Sequence, residues 1–142
     1  MARAVGLGGR RQLVVAANRD LLGLDPERGT VLWKHQLAEG KEDGYAQPVP
    51  MGENRLLVNF QDDAAAFQVV KSGESWSVRQ LWRNNNLKSS FGIPVYHRGS
   101  LFGYSGRFLT CVDAATGAPA WMSAYLQEPI PSVDGPGAVY VF

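Results

Sequence analysis

Two carboxylates stand out by type and spacing. Asp25 precedes Gly29 by four residues and Trp33 by eight, and Asp113 precedes Gly117 and Trp121 by the same intervals. Paired carboxylates can do general acid–base work when a fold holds them across a cleft. The constant glycine points to a different job. An Asp side chain accepts from backbone N–H groups just ahead of it, and a Gly takes positive φ at little cost, so each Asp-x-x-x-Gly is expected to be a capped turn. Trp33, Trp82 and Trp121 are flat enough to stack on a planar ligand. Their recurrence once per unit instead predicts rings packed between neighbouring units, since one ligand needs one such platform.

The other reactive side chains are sparse. His35 and His97 are the only histidines, and neither has Cys, His or carboxylate neighbours at metal-ligand spacing. His35 is expected on a strand, partly exposed, and His97 in a hairpin turn. Asp62-Asp63 is the only adjacent acidic pair that could contribute oxygen ligands to calcium, and a solvated turn is the simpler reading. Cys111 is the sole cysteine; inside an apolar strand it is expected to be a buried, inert thiol. There is no Gly-x-Ser-x-Gly, phosphate loop or vicinal cysteine pair. No catalytic or metal-binding residue is therefore assigned.

What must position these residues is a run of short strands. In the stretch 101–121, residues 101–104 and 107–112 read as strands around a Ser105-Gly106 turn, followed by the capped turn and a strand ending on Trp121. The same order recurs upstream at 13–17, 21–24, the turn at Asp25–Gly29 and a strand to Trp33. The copies lie 88 residues apart, twice 44, with Trp82 between them. A period near 44 with several strands per unit predicts a radially repeated β-architecture.

On that period the chain divides into units at 2–37, 46–83 and 89–123 and a partial unit at 129–142, all within one domain spanning 1–142. The first unit is expected to place strands at 2–7, 13–17, 21–24 and 30–37, and the second at 47–50, 55–60, 64–70 and 76–82. The third adds a first strand at 91–96. The second unit is degenerate, with Lys71-Ser72-Gly73-Glu74-Ser75 where the others carry Asp-x-x-x-Gly. The fourth stops after two of four strands, within the apolar Ala138-Val139-Tyr140-Val141-Phe142, so the chain reads as a piece of a longer propeller. The resulting expectation is an all-β, open arc of about three and a half four-stranded antiparallel blades.

Composition agrees. Sixteen Gly and eight Pro suit a turn-rich β chain, and 45% hydrophobic residues suffice for a core. A net charge of +1 argues against nucleic acid or an anionic membrane as the dominant partner. The N-terminal stretch, residues 1–12, has no apolar run long enough for a signal peptide or a membrane span.

These residues resemble the pyrroloquinoline-quinone-like (PQQ-like) β-propeller repeats. The hallmark is an apolar strand, then Leu-Asp-x-x-Thr-Gly-x-x-x-Trp. Here it stands as Val112-Asp113-Ala114-Ala115-Thr116-Gly117 with Trp121, and as Leu24-Asp25-Pro26-Glu27-Arg28-Gly29 with Trp33, Arg28 replacing the Thr. The resemblance implies that Asp25, Gly29, Asp113, Thr116 and Gly117 shape turns. It implies too that Trp33, Trp82 and Trp121 pack between blades, so that losing the Trp121 ring costs more stability than losing the Asp113 carboxylate. Some members hold the quinone and oxidise alcohols or sugars, and others are cofactor-free scaffolds. The resemblance also implies a setting outside the cytoplasm.

Three functions follow as alternatives: a binding or scaffold propeller, a fragment of a quinoprotein dehydrogenase, or a decayed copy. In a four-stranded blade the strand 2–3 turns share one end with the connections to the next blade. Arg83, Asn84, Asn85, Asn86 and Lys88 should thus join Asn18, Arg19, Gln61, Asp62, Ser105 and Arg107 on one rim. There a protein partner or small ligand would bind. No cofactor is expected on this chain by itself, because an axial quinone needs loops from a complete ring. Self-association is expected through the open blade edges, among them that of residues 138–142.

Overall fold

The computed structural model describes residues 2–17, 19–37, 48–60, 62–88 and 93–123. They form twelve strands in three antiparallel four-stranded sheets, and no helix occurs among them. Blade 1 contains β1 (Ala2–Leu7), β2 (Arg10–Ala17), β3 (Asp20–Leu24) and β4 (Val31–Gln36). Blade 2 contains β5 (Val49–Pro50), β6 (Arg55–Asn59), β7 (Ala64–Ser72) and β8 (Ser75–Asn84). Blade 3 contains β9 (Val95–His97), β10 (Ser100–Ser105), β11 (Phe108–Asp113) and β12 (Pro119–Met122). Each strand pairs only with its neighbours in sequence, the meander of a propeller blade. The expected half-blade at 129–142 lies outside the described residues.

The repeat can be read from register. Trp33 pairs with Gly23, Trp82 with Ala66 and Trp121 with Cys111, and in all three blades the register slips immediately beyond that pair. The irregularity recurs at the same place in each blade, and a small residue stands opposite each tryptophan on the neighbouring strand. The paired residues Gly23, Ala66 and Cys111 are 43 and 45 apart, closer to a constant period than the tryptophans at 49 and 39. The difference is the blade 2 hairpin, which continues for five further pairs from Gln68↔Arg79 to Ser72↔Ser75. It occupies the place where blades 1 and 3 have their Asp turns, which is why the second unit lacks the motif.

Two cores lie between blades. One joins Val5, Leu7, Val14, Leu21 and Trp33 of blade 1 to Leu56, Val58, Ala65, Phe67 and Val69 of blade 2. The other joins Leu57, Ala64, Ala66 and Trp82 of blade 2 to Leu101, Val112 and Ala114 of blade 3. Blade 2 is thus buried on both faces, so β6 and β7 read as continuous apolar runs instead of alternating ones.

Several boundaries differ from the sequence expectation. Arg83 and Asn84 belong to β8, because the long hairpin carries pairing up to Ala64↔Asn84. His97 belongs to β9, leaving Arg98-Gly99 as a turn with both φ values positive. The β10–β11 turn is Gly106-Arg107, since Ser105 pairs with Phe108.

Candidate functional site

The two Asp turns are built alike. The Gly29 amide donates to the Asp25 carbonyl at 2.8 Å, and Gly117 to Asp113 at 2.7 Å. The Asp25 carboxylate accepts from the Glu27 and Arg28 amides at 2.9 and 3.3 Å, and that of Asp113 from Ala115 and Thr116 at 2.8 and 3.0 Å. Thr116 Oγ1 donates to Asp113 as well, at 3.3 Å. These amide donors hold both carboxyls below the ordinary aspartate range, with Glu27 leading at Asp25 and Thr116 at Asp113; Arg10, 2.5 Å from Asp25, adds to the effect there. Carboxylates committed to turn amides are caps.

The indoles divide three ways. Trp82 Nε1 donates across the blade boundary to the Ala114 carbonyl at 2.9 Å. Its ring covers Gly117, where a Cβ would stand 2.5 Å from two ring carbons. Trp33 has no such turn to meet, because blade 2 carries its long hairpin there. Its ring folds over Gly23 of its own sheet, and Nε1 donates to Gln12 Oε1 at 2.7 Å. Trp121 is 46% exposed and touches Phe102, the ring centres 6.1 Å apart. Trp121 stands on the last described blade, and the following blade on which its expected burial depends lies outside the described residues. The fourth tryptophan, Trp76, packs on the Gly8 turn beneath Lys71.

The rim residues separate in the same way. Arg83 donates Nε to Asp63 Oδ2 at 2.6 Å and Nη2 to Oδ1 at 3.3 Å, with its guanidinium 4.5 Å above the Phe60 ring. That two-point pair and stack lock Arg83 and engage both carboxylate oxygens of Asp63. Asn84 and Asn86 both donate to the Gly117 carbonyl, at 2.9 and 3.0 Å, and Asn84 Oδ1 accepts the Asn86 amide at 3.1 Å. The twist of the blade turns β8 across its neighbour, so these two amides clamp the blade 3 turn instead of lining the rim. Asn85, Arg19 and Arg107 are exposed, and the Lys88 amide donates to the Tyr104 carbonyl at 3.2 Å, tying the connection to β10. Asn18 and Gln61 lie outside the described residues.

His35 is half-buried, edge-on to Phe67 at 5.3 Å, and burial lowers its pKa. Cys111 is buried. No group of three or more metal-ligating side chains occurs among the described residues. Nor is any helix among them long and apolar enough to cross a membrane, which says nothing of a β-barrel.

Two positions escaped the sequence reading. Gln12, fully buried, satisfies the Trp33 indole, and Gly23 opposite a tryptophan was the available signal. Asn59 is 3% exposed, and neither atom of its carboxamide has a hydrogen-bond partner. Nothing in the local pattern of β6 marks it.

Twisted four-stranded meanders docked by an indole on a neighbour's capped turn define a β-propeller of PQQ-like repeats. The chain belongs to that family: the family model described as "Outer membrane protein assembly factor BamB" matches residues 2–123. Among solved structures, the chain is similar to the β-propeller domain of Cps50 (Swd1) from Myceliophteria thermophila, with TM-score 0.60, 14% identity and 87% of this chain covered. It is also similar to BamB from Moraxella catarrhalis, with TM-score 0.54, 18% identity and 79% covered, and to a europium-containing methanol dehydrogenase, with TM-score 0.56, 13% identity and 91% covered. The matches span only 41%, 33% and 27% of those chains, in the same order. No curated protein matches the sequence.

Of the four tryptophans, Trp33 is engaged by Gln12, Trp82 by Ala114 and Trp76 by the Gly8 turn, while Trp121 touches Phe102 and is 46% exposed.

Proposed function

We propose that the chain is a binding or scaffold module of a propeller, holding a protein partner at the rim formed by the strand 2–3 turns and the inter-blade connections. The observation that carries this reading is how the side chains are used. The motif aspartates cap turns, and the Trp82 indole with the Asn84 and Asn86 amides holds blade 2 to blade 3, while Arg19 and Asn85 stand exposed at the rim. Lys88 stands in the adjoining connection. The assembly-factor description of the matched family favours a protein over a small ligand. The open flanks of the array favour self-association as a second kind of contact.

The second reading is a portion of a quinoprotein oxidoreductase, favoured by the likeness to the methanol dehydrogenase. PQQ would then bind only in a complete ring, with its carboxylate base and calcium ligands supplied by further blades.

A photo-crosslinking side chain placed at Arg19, Asn85 or Arg107 tests the first reading. The expected result is a competable adduct to another polypeptide from the rim positions and none from Glu74 at the far tip of the long hairpin. Equal adducts from both ends would count against it, as would saturable binding of the quinone with calcium.

A further inference from the structure

His35 stands in the seam between blades 1 and 2. It lies on β4 opposite Leu21, on the side that meets blade 2, and its ring is edge-on to Phe67 of β7 with the centres 5.3 Å apart. Register shows which charged groups share that seam. On blade 1, Arg3 opposite Val14 and Arg10 opposite Leu7 stand on the same side as those core residues. On blade 2, Lys71 lies two residues past Val69 and over the Trp76 ring, and Arg83 lies over Phe60. The carboxylates among the described residues of this seam are Asp25 and Asp63, held by Arg10 and Arg83. Asp62 is exposed in the β6–β7 turn, and Asp20 pairs with Lys34 on the opposite face of blade 1. A protonated His35 therefore adds a cation where the cations already outnumber the carboxylates and both carboxylates are committed.

The seam between blades 2 and 3 is built from other groups. The Trp82 indole donates to Ala114, and the Asn84 and Asn86 amides donate to Gly117, all neutral side chains. Tyr96 packs into this seam, and strand alternation turns His97, the chain's other histidine, to the opposite face of blade 3. Asp113 in the adjoining turn is held below the ordinary aspartate range by the Thr116 amide. The two seams thus differ in having, or lacking, an imidazole.

We infer that His35 makes the blade 1–blade 2 seam an acid-labile joint, which opens as the imidazole takes a proton, while the blade 2–blade 3 seam stays closed. Burial lowers the His35 pKa from 6.5, so the opened joint binds the proton more tightly than the closed one. Opening is favoured as pH falls below 6.5, by about tenfold per pH unit, until pH passes the lowered value. Arg19 lies on one side of the joint and Asn85 on the other, so opening changes the spacing of the rim groups. The joint is independent of what the rim binds.

Adjacent residues of β6 report the two seams separately. Val58, 1% exposed, packs against blade 1, and Leu57, 0% exposed, packs against blade 3. Val58→Cys and Leu57→Cys in the full chain are labelled with methyl methanethiosulfonate from about pH 7.5 to about pH 5, a range that spans the ordinary histidine pKa. The rate is read at each new cysteine by mass spectrometry, apart from Cys111, and divided by the rate in the unfolded chain at the same pH. The ratio for Val58→Cys should rise by about tenfold per pH unit below 6.5, and that for Leu57→Cys should stay flat. Adding either His35→Gln or His35→Phe, both neutral at every pH, should flatten the first ratio, and His97→Gln should leave it rising. A ratio that is flat at Val58→Cys would overturn the inference, as would equal rises at both cysteines or a rise that survives the His35 variants. A far-ultraviolet spectrum lost in step with labelling would also overturn it, because the blades would then melt instead of parting. Substituting Arg19 or Asn85 should leave both ratios unchanged, so failure of the rim reading would not imitate failure of this one.

Discussion

The indole N–H of Trp82 in blade 2 donates to the carbonyl of Ala114 in blade 3 at 2.9 Å, and no other described tryptophan makes a bond across a blade boundary. The neighbouring turn decides which tryptophan can do so. Blade 3 offers a capped turn to Trp82, whereas blade 2 offers Trp33 a hairpin. Trp33 therefore turns back onto its own sheet, where Gly23 makes room.

Gly23→Ala should expel the Trp33 ring. The added Cβ would overlap the indole and stand 2.6 Å from Gln12 Oε1, so ring and carboxamide must both move. Losing that buried packing and leaving Gln12 Oε1 without its donor should cost about 2–4 kcal/mol. A denaturant midpoint within about 0.5 kcal/mol of wild type would contradict the overlap, since surface-like changes fall in that range.

The two motif aspartates predict an acid limb in stability. Their folded pKa values lie below the ordinary 3.8, so between the folded and unfolded values the unfolded chain binds more protons. Their contribution is full above about pH 4 and is lost as pH falls through the depressed values. Asp25→Asn with Asp113→Asn should flatten that limb while leaving the slope near neutrality unchanged. His35 has its pKa lowered by burial, so its contribution is full above 6.5 and is lost as the unfolded imidazole protonates on acidification. His35→Phe should remove the shallower decline just below pH 6.5.

Asn59 is the clearest candidate for a stabilising change. Both polar atoms of its carboxamide are buried without partners, and an unsatisfied buried group costs about 1–3 kcal/mol. Asn59→Leu should raise the denaturant midpoint, and a lowered midpoint would show that the amide has a partner in solution.

Arg83 holds Asp63 at two points and lies over Phe60. Arg83→Lys keeps the charge but loses the planar fork and the stacking, so it should behave more like Arg83→Met than like wild type in thermal melts. A lysine variant indistinguishable from wild type would reduce the contact to simple charge pairing.

The repeat was legible because its signals are local. Asp25 and Asp113 sit at fixed distance from a turn glycine, and short strands with Gly-rich turns announce themselves by composition. The long hairpin of blade 2 was not, because Gln68 to Arg79 differs from the other blades in pairing partners, which sequence spacing does not reveal. Asn84 and Asn86 looked like rim residues because the argument from chain ends ignores twist, and twist carries them to Gly117. Trp121 matched Trp33 and Trp82 in motif, yet its burial depends on a neighbouring blade and so could not be read from its own strand. The rim itself was placed by topology, and what it recognises is encoded by a partner's surface.

Comparing Trp82→Ala with Trp121→Ala tests most directly whether an indole docked on a neighbour's turn holds these blades together. The measurement is the denaturant midpoint with its slope, at chain concentrations low enough for single copies. The expected result is a loss of about 3–5 kcal/mol for Trp82→Ala and under about 1 kcal/mol for Trp121→Ala, because only the first ring is buried against a described neighbour. Equal losses, or a larger one at Trp121, would contradict the account.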